Sequence, residues 1–345
     1  MGSLGIQSPL LEKNVLMLPL ALKKILKQHS RSFYLSLQIL PSSLRFPISL
    51  AYLLARMADT IADTSLVPRE LRIETLQRFS QAVQHSGRFK WLQNDFSPEK
   101  FSLSEVQLLQ QSDSAIALLP ELGEKNCGLV QKIVRTLIQG MIQNLNDFPG
   151  ENRSEIFSLK NNKHLEEYCY YAAGCVGEFW TAISFQKVPK LRSRNFEKMQ
   201  QWGKAFGEGL QLINILQDIP RDLDSGRCYL PEAELKKLEV FVQNLNATPE
   251  KIKPLLNEMM QEAEKKLKQG ILYVESIPHG EIRLRLACAW PLLIGLKTLQ
   301  KLRREENLIL PPQKIKISRQ EVYQILGKTL FLFPIPRGSR FCFTF

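Results

Sequence analysis

The sequence predicts an all-α protein built as one large helical domain, and three observations predict it. Apolar residues recur at helical spacing through 48–61, 127–145, 164–184, 196–219, 252–274 and 282–302. Alternating strand-like runs joined by Gly-rich turns are missing, as are GxGxxG and GxxxxGK[ST], so neither common nucleotide fold is signalled. Breaks fall between the helical stretches, at Pro41, Pro68, Pro98, Pro149, Pro189, Pro231 and Pro278, and no linker divides the body. A chain of 345 residues, 44% of them hydrophobic, has ample material for such a core.

The first element of note should begin at Ser42 or Ser43 and run to about Thr64. It ends in Asp59-Thr60-Ile61-Ala62-Asp63, with Arg56 three residues and Tyr52 seven residues before Asp59. On a helix Tyr52, Arg56, Asp59 and Asp63 form one polar stripe, while Ile48, Leu50, Leu53, Leu54, Met57 and Ile61 occupy the other faces. A stripe of this kind faces either solvent or a lined cavity, because unpaired buried carboxylates are costly.

The same spacing returns at Asp218-Ile219-Pro220-Arg221-Asp222. Gln211, Asn214, Asp218 and Asp222 again share one face of an apolar stretch. Pro220 should loosen or kink that helix, and the turn after it carries Arg227, placed to reach a phosphate. Carboxylates stacked one helical turn apart repel each other unless a cation lies between them. Two pairs facing each other would hold Mg²⁺ against a diphosphate. One pair alone reads equally well as an exposed helix face; the repetition argues against that. Between the pairs lies 168–177, rich in tyrosine and small residues. It suits either a cavity wall or close helix packing through Ala and Gly.

Composition narrows the partners. The 46 basic and 34 acidic residues give a net charge of +12. That charge favours anions: diphosphates, an acidic membrane face or nucleic acid. No run of five Lys/Arg and no zinc-finger spacing occurs, so nucleic acid is not expected. The six cysteines form no CxxC pair and the four histidines no metal-spaced cluster, which fits a reducing, cytoplasmic compartment. No stretch reaches the ~20 apolar residues of a membrane span, and no signal peptide is read in the N-terminal region. Residues 331–345 form an aromatic, basic tail after a body of 1–330. This tail suits a groove, an interface or a loose end.

Four ordered motifs resemble the squalene/phytoene synthase family: HSRSFY at 29–34, YLLARMADTIAD at 52–63, YCYYAAGCVG at 168–177 and GLQLINILQDIPRDLDSGRCYLP at 209–231. The resemblance covers roughly 20–300 and implies an isoprenoid-synthase helical bundle around a central cavity. It implies head-to-head condensation of two prenyl diphosphates through a cyclopropylcarbinyl diphosphate, with farnesyl diphosphate as the expected substrate. By the resemblance, Asp59, Asp63, Asp218 and Asp222, with Asn214, hold Mg²⁺ (or Mn²⁺). Ser30, Arg31, Ser32, Arg56 and Arg227 contact phosphate oxygens, and Tyr52, Gln211 and Asn214 position the substrate. Phe33 and Tyr168 line the cavity, and the tyrosine matching Tyr168 takes part in the first ionisation. Two positions depart from the pattern: Gln217 stands where Arg is usual, and Asn144 where an acid is frequent. DTIADT at 59–64 and IRLRLACAWP at 282–291 look more like squalene synthases, which use NADPH, than like phytoene or dehydrosqualene synthases, which do not. The family's eukaryotic members carry a membrane helix at the C-terminus. Its lack here suggests a bacterial-type enzyme with at most peripheral membrane contact. A non-catalytic isoprenoid-binding subunit and a phosphate- or RNA-binding helical protein are the remaining alternatives.

Overall fold

A computed structural model describes residues 17–30, 33–64, 66–89, 101–311, 313–335 and 342–343. The helices are α1 (Leu20–His29), α2 (Phe33–Ile39), α3 (Ser42–Asp63), α4 (Arg69–Gln84), α5 (Leu103–Gln110), α6 (Ser112–Ile116) and α7 (Glu124–Asp147). They continue with α8 (Asn162–Cys169), α9 (Cys175–Lys187), α10 (Phe196–Asp224), α11 (Glu232–Lys237), α12 (Pro249–Ser276), α13 (Ile282–Leu302) and α14 (Arg319–Leu332). Two short parallel strands, β1 (Phe157–Ser158) and β2 (Arg227–Cys228), pair Phe157 with Arg227 and Ser158 with Cys228.

Local chemistry sets several of these boundaries. Pro41 and Pro68 stand immediately before α3 and α4, where a missing N–H costs nothing. Asn161 and Asn195 cap α8 and α10 by accepting from His164 and Lys198 backbone N–H groups, at 3.0 and 2.8 Å. Ser102 and Ser318 form capping boxes with Glu105 and Glu321. Pro220, expected to loosen or kink α10, lies inside it. The helix continues through it to Asp224, with Ile219 and Leu223 buried on either side holding that last turn against the core.

α3 packs on α7, α7 on α9, α9 on α10, α10 on α13, α13 on α2 and α2 on α3, which closes a ring of helices. α12 backs α10 from outside. α8 and α9 are joined by a π-helical turn, Tyr170–Gly174. Its wider register sends Tyr168, Tyr171 and Ala172 into a cavity, while Ala173, Gly174 and Gly177 meet α10. After α14, Phe333 is buried beneath the Arg285 guanidinium, 5.0 Å from its ring centre, and Cys342 is also buried. Phe343 meets the Phe333 ring edge-on at 6.4 Å, Phe331 and Ile335 are exposed, and residues 336–341 and 344–345 lie outside the described residues, as does Pro98. All six cysteines are free, five of them buried. No helix among the described residues is long and apolar enough to cross a membrane.

Candidate active site

Inside the ring, a cavity of about 250 Å³ is walled by Asp59 and Asp63 from α3, and by Leu137, Gly140, Met141 and Asn144 from α7. Tyr168, Tyr171 and Ala172, Gln211 from α10, and Arg227 and Tyr229 from the β2 segment complete it. Of the residues singled out in the sequence, Asp59, Asp63, Tyr168, Gln211 and Arg227 thus share one wall. Gln211 Nε2 donates to the Tyr168 hydroxyl at 3.3 Å. The Tyr168 ring lies 4.4 Å from that of Tyr229, whose hydroxyl donates to Asn144 Oδ1 at 3.2 Å.

Arg56 is ion-paired with Asp59 one turn away, yet its Nε is buried with no partner. A buried, orphaned guanidinium N–H beside a carboxylate pair suits an incoming anion. Asp222 lies close enough to Arg227, Tyr168 and Asp63 to act on each of them electrostatically. Asp218, close enough to Asp222 to raise its proton affinity, meets Lys314 Nζ at 3.3 Å. Asn214 lines a neighbouring apolar groove with Leu210, Trp290 and Leu326. Tyr52 and Ser30 are engaged elsewhere: the Tyr52 hydroxyl donates to the His29 carbonyl at 3.0 Å, and the Ser30 hydroxyl to the Leu26 carbonyl. Arg31 and Ser32, and the side chain of Phe33, lie outside the described residues.

The two departures from the motif pattern have structural partners. Gln217 Nε2 donates to the Ile315 carbonyl at 2.6 Å, fastening α10 to the segment that carries Lys314. Lys314 supplies a cation on the Asp218 side, and Arg221 lowers the proton affinity of Asp222. Asn144 gives the cavity a neutral acceptor, which avoids adding an anion to a wall already rich in carboxylates. Lys314 and Tyr229 were not identified from the sequence as site residues. Tyr229 lay within a quoted motif but read as part of a turn; Lys314 carried no local signal.

Charge crowding is evident in the carboxylates. Burial in the cleft and repulsion from Asp63 push Asp59 up to about 6, against the pull of Arg56 and Arg227. Burial and the charge of Asp218 push Asp222 up to about 7. Burial also holds Tyr168 well above the usual phenol range, so at neutral pH it keeps its proton and serves as a hydrogen-bonding group. Burial opposes the charge on Arg227, but Tyr229, Asp63 and Asp222 more than offset it.

Among the described residues, no three Asp, Glu, His or Cys side chains converge as a cage for a metal. Mg²⁺ in its usual role with phosphates needs only one or two carboxylates, with substrate oxygens and water completing its shell. Asp59, Asp63 and Asp222 are the residues that would hold it, and the repulsion among them is what a divalent cation relieves. The pH dependence follows from the raised carboxylates. Their contribution to stability is full below the unfolded values near 4 and is lost as pH rises through about 6 to 7. Mg²⁺ competes with those protons, so the rise in melting temperature on adding Mg²⁺ should be larger at pH 8 than at pH 5.5. An equal rise at both values would show that these carboxylates do not take the metal.

Fold and site together define a ring of helices around a cavity lined by carboxylates, an arginine and tyrosines. The chain belongs to the squalene/phytoene synthase family, whose pattern it matches over residues 26–321. It is 24% identical over 305 residues to the squalene synthase of Schizosaccharomyces pombe, covering 88% of this chain and 63% of that protein. It is 26% identical over 265 residues to the bifunctional lycopene cyclase/phytoene synthase of Podospora anserina, covering 73% of this chain and 41% of that protein. The chain therefore spans about three fifths, or less, of the length of these relatives. The fold matches that of TcSQS solved with the ligand E5700, with a TM-score of 0.72, 20% identity, and coverage of 90% of this chain and 86% of that one.

Proposed function

We propose that the chain is a prenyltransferase that joins two farnesyl diphosphates head to head through presqualene diphosphate, then reduces that intermediate to squalene with NADPH. The observation that carries this reading is the cavity that places Asp59, Asp63 and Arg227 beside a protonated Tyr168, with apolar space on the adjoining face of α10.

Each group has a task in that chemistry. Arg56 and Arg227 hold the diphosphate and stabilise the charge that builds on it as the allylic C–O bond breaks. Held by Asp59, Asp63 and Asp222, Mg²⁺ would add Lewis-acid stabilisation of the same leaving group. Tyr168, kept neutral and oriented by Gln211, faces the site of ionisation with its hydroxyl and ring. A separate pocket walled by Trp180, Phe206, Leu210 and Tyr273 is almost wholly apolar and offers a surface for the prenyl chain. The described residues offer no dinucleotide-binding fold, so the NADPH step rests on the likeness of DTIADT and IRLRLACAWP to squalene synthases.

A second reading has support from the Podospora anserina relative: release of the intermediate without NADPH, as dehydrosqualene, phytoene or hydroxysqualene. Incubation with farnesyl diphosphate and Mg²⁺, with and without NADPH, separates the two by mass spectrometry of the extract. Squalene appearing only with NADPH is expected. The same product with and without NADPH moves the chain to the second reading, and product from geranylgeranyl diphosphate alone reassigns the substrate.

The same reading takes the enzyme to work in the cytoplasm, in peripheral contact with an anionic membrane face. Exposed Leu20 lies beside exposed Lys23, Lys24 and Lys27 on α1, which supports this. Sedimentation with anionic vesicles should weaken as salt is raised; binding indifferent to salt would contradict a basic contact.

A further inference from the structure

The two aspartate pairs sit at the ends of separate helices, and one short segment touches both ends. Asp63 is the last residue of α3, and Asp222 lies in the last turn of α10. Behind α3, Arg72 of α4 is buried to 1% exposure. Its Nη1 donates to the Ala62 carbonyl at 3.1 Å, and its Nη2 is ion-paired with Glu151. Ala62 lies in the last turn of α3, where carbonyls lack intrahelical partners and a cation is favoured.

Glu151 begins a loop that runs directly to the end of α10. Arg153 Nη1 donates to Asp224 at 2.6 Å, and the Phe157 N–H donates to the Gly226 carbonyl at 3.0 Å. Gly226 has φ +74, and a Cβ there would lie 2.9 Å from the Glu155 carbonyl oxygen and 3.0 Å from that of Asn152. The loop therefore grips the backbone between Asp222 and Arg227, while Glu151 holds the guanidinium that caps α3. Asp63, at the capped end, acts electrostatically on both Asp222 and Arg227.

An ion pair with a buried guanidinium and a half-exposed carboxylate is a weak source of net stability, since desolvation of the arginine offsets the attraction, and here Arg72 Nε has no partner. Position is what the pair supplies. We propose that Arg72 and Glu151 form a positioning clasp that sets the separation of the two aspartate pairs and thereby the affinity for a Mg²⁺–diphosphate unit. This rests on the reading of those pairs as a Mg²⁺–diphosphate site. Neither residue touches substrate; both act through Asp63, Asp222 and Arg227.

The test is calorimetric titration of the full chain with inorganic diphosphate in excess Mg²⁺, beside melting curves without metal. Glu151→Gln is the informative variant, because the Glu151 side chain is 42% exposed and its loss leaves the core intact. It should melt close to the unaltered chain yet bind Mg²⁺–diphosphate about tenfold more weakly, the scale on which supporting residues affect metal sites. Arg72→Met should bind more weakly still, and Arg72→Lys, which keeps a cation at the α3 terminus, should recover part of the loss. Unchanged affinity in Glu151→Gln overturns the clasp even if Arg72→Met fails to fold. Absence of binding by the unaltered chain overturns the reading of the site itself, and the clasp's role falls with it.

Discussion

Asp59→Asn should lower turnover by at least about two orders of magnitude, the scale of losing a preorganised charge stabiliser, while the metal-free protein melts no lower than before. The second half of this expectation comes from the geometry. Asp59 is pushed up to about 6 because burial and Asp63 oppose its charge. An amide of the same shape removes that repulsion but gives up the ion pair with Arg56, which is half-exposed and contributes little. The stabilisation by Mg²⁺ should disappear together with turnover. Parallel loss of turnover and melting temperature would make Asp59 a structural residue, and near-normal turnover would remove it from the metal site. Asp218 gives a contrast: its partner is Lys314, outside the main cavity. Asp218→Asn should reduce turnover as well; it gives up the Lys314 pair but also removes a charge that raises Asp222, so its metal-free melting temperature should change little.

Both aspartate helices were legible in the sequence because a 3.6-residue period fixes which side chains share a face. The α3 boundaries follow from Pro41 at one end and the last apolar residues at the other, and Asp59 and Asp63 come out on one cavity wall as that period demands. What the period cannot give is where a neighbouring element passes. Tyr229 reaches the cavity because β1 draws the 227–229 strand alongside it, a pairing between segments about 70 residues apart. Lys314 reaches Asp218 because Gln217 and Lys301 hold the backbone of Ile315 and Lys316 against the α10 end. The π turn at Tyr170–Gly174 was equally hidden, since one residue of extra register leaves no mark on the apolar pattern. At Pro220 the helix runs on to Asp224 despite the missing N–H, with Ile219 and Leu223 buried on either side.

The tyrosine-rich segment serves both roles that its composition allowed, and the packing role carries the largest effect on stability. α9 and α10 cross with their backbones in contact. A Cβ on Gly177 would lie 1.9 Å from the Gly203 carbonyl oxygen, and one on Gly207 would lie 2.2 Å from that of Ala173. No rotamer change relieves such a clash, because the obstacle is backbone. Gly177→Ala must therefore push the helices apart. Overpacking of this kind costs about 1–3 kcal/mol or more, set against about 1 kcal/mol gained from helix propensity. Net destabilisation of up to about 2 kcal/mol is expected in denaturant titrations. Separation would also loosen the wall that holds Tyr168 against Gln211, so turnover should fall in the folded variant. Gly128→Ala is the internal control: it lies on exposed α7 surface with nothing within 4 Å of a new Cβ. There only the propensity gain remains, and the midpoint should rise. If Gly177→Ala also raised the midpoint, the α9–α10 crossing would have room to spare, and the small residues of that segment would have to be explained by the cavity alone.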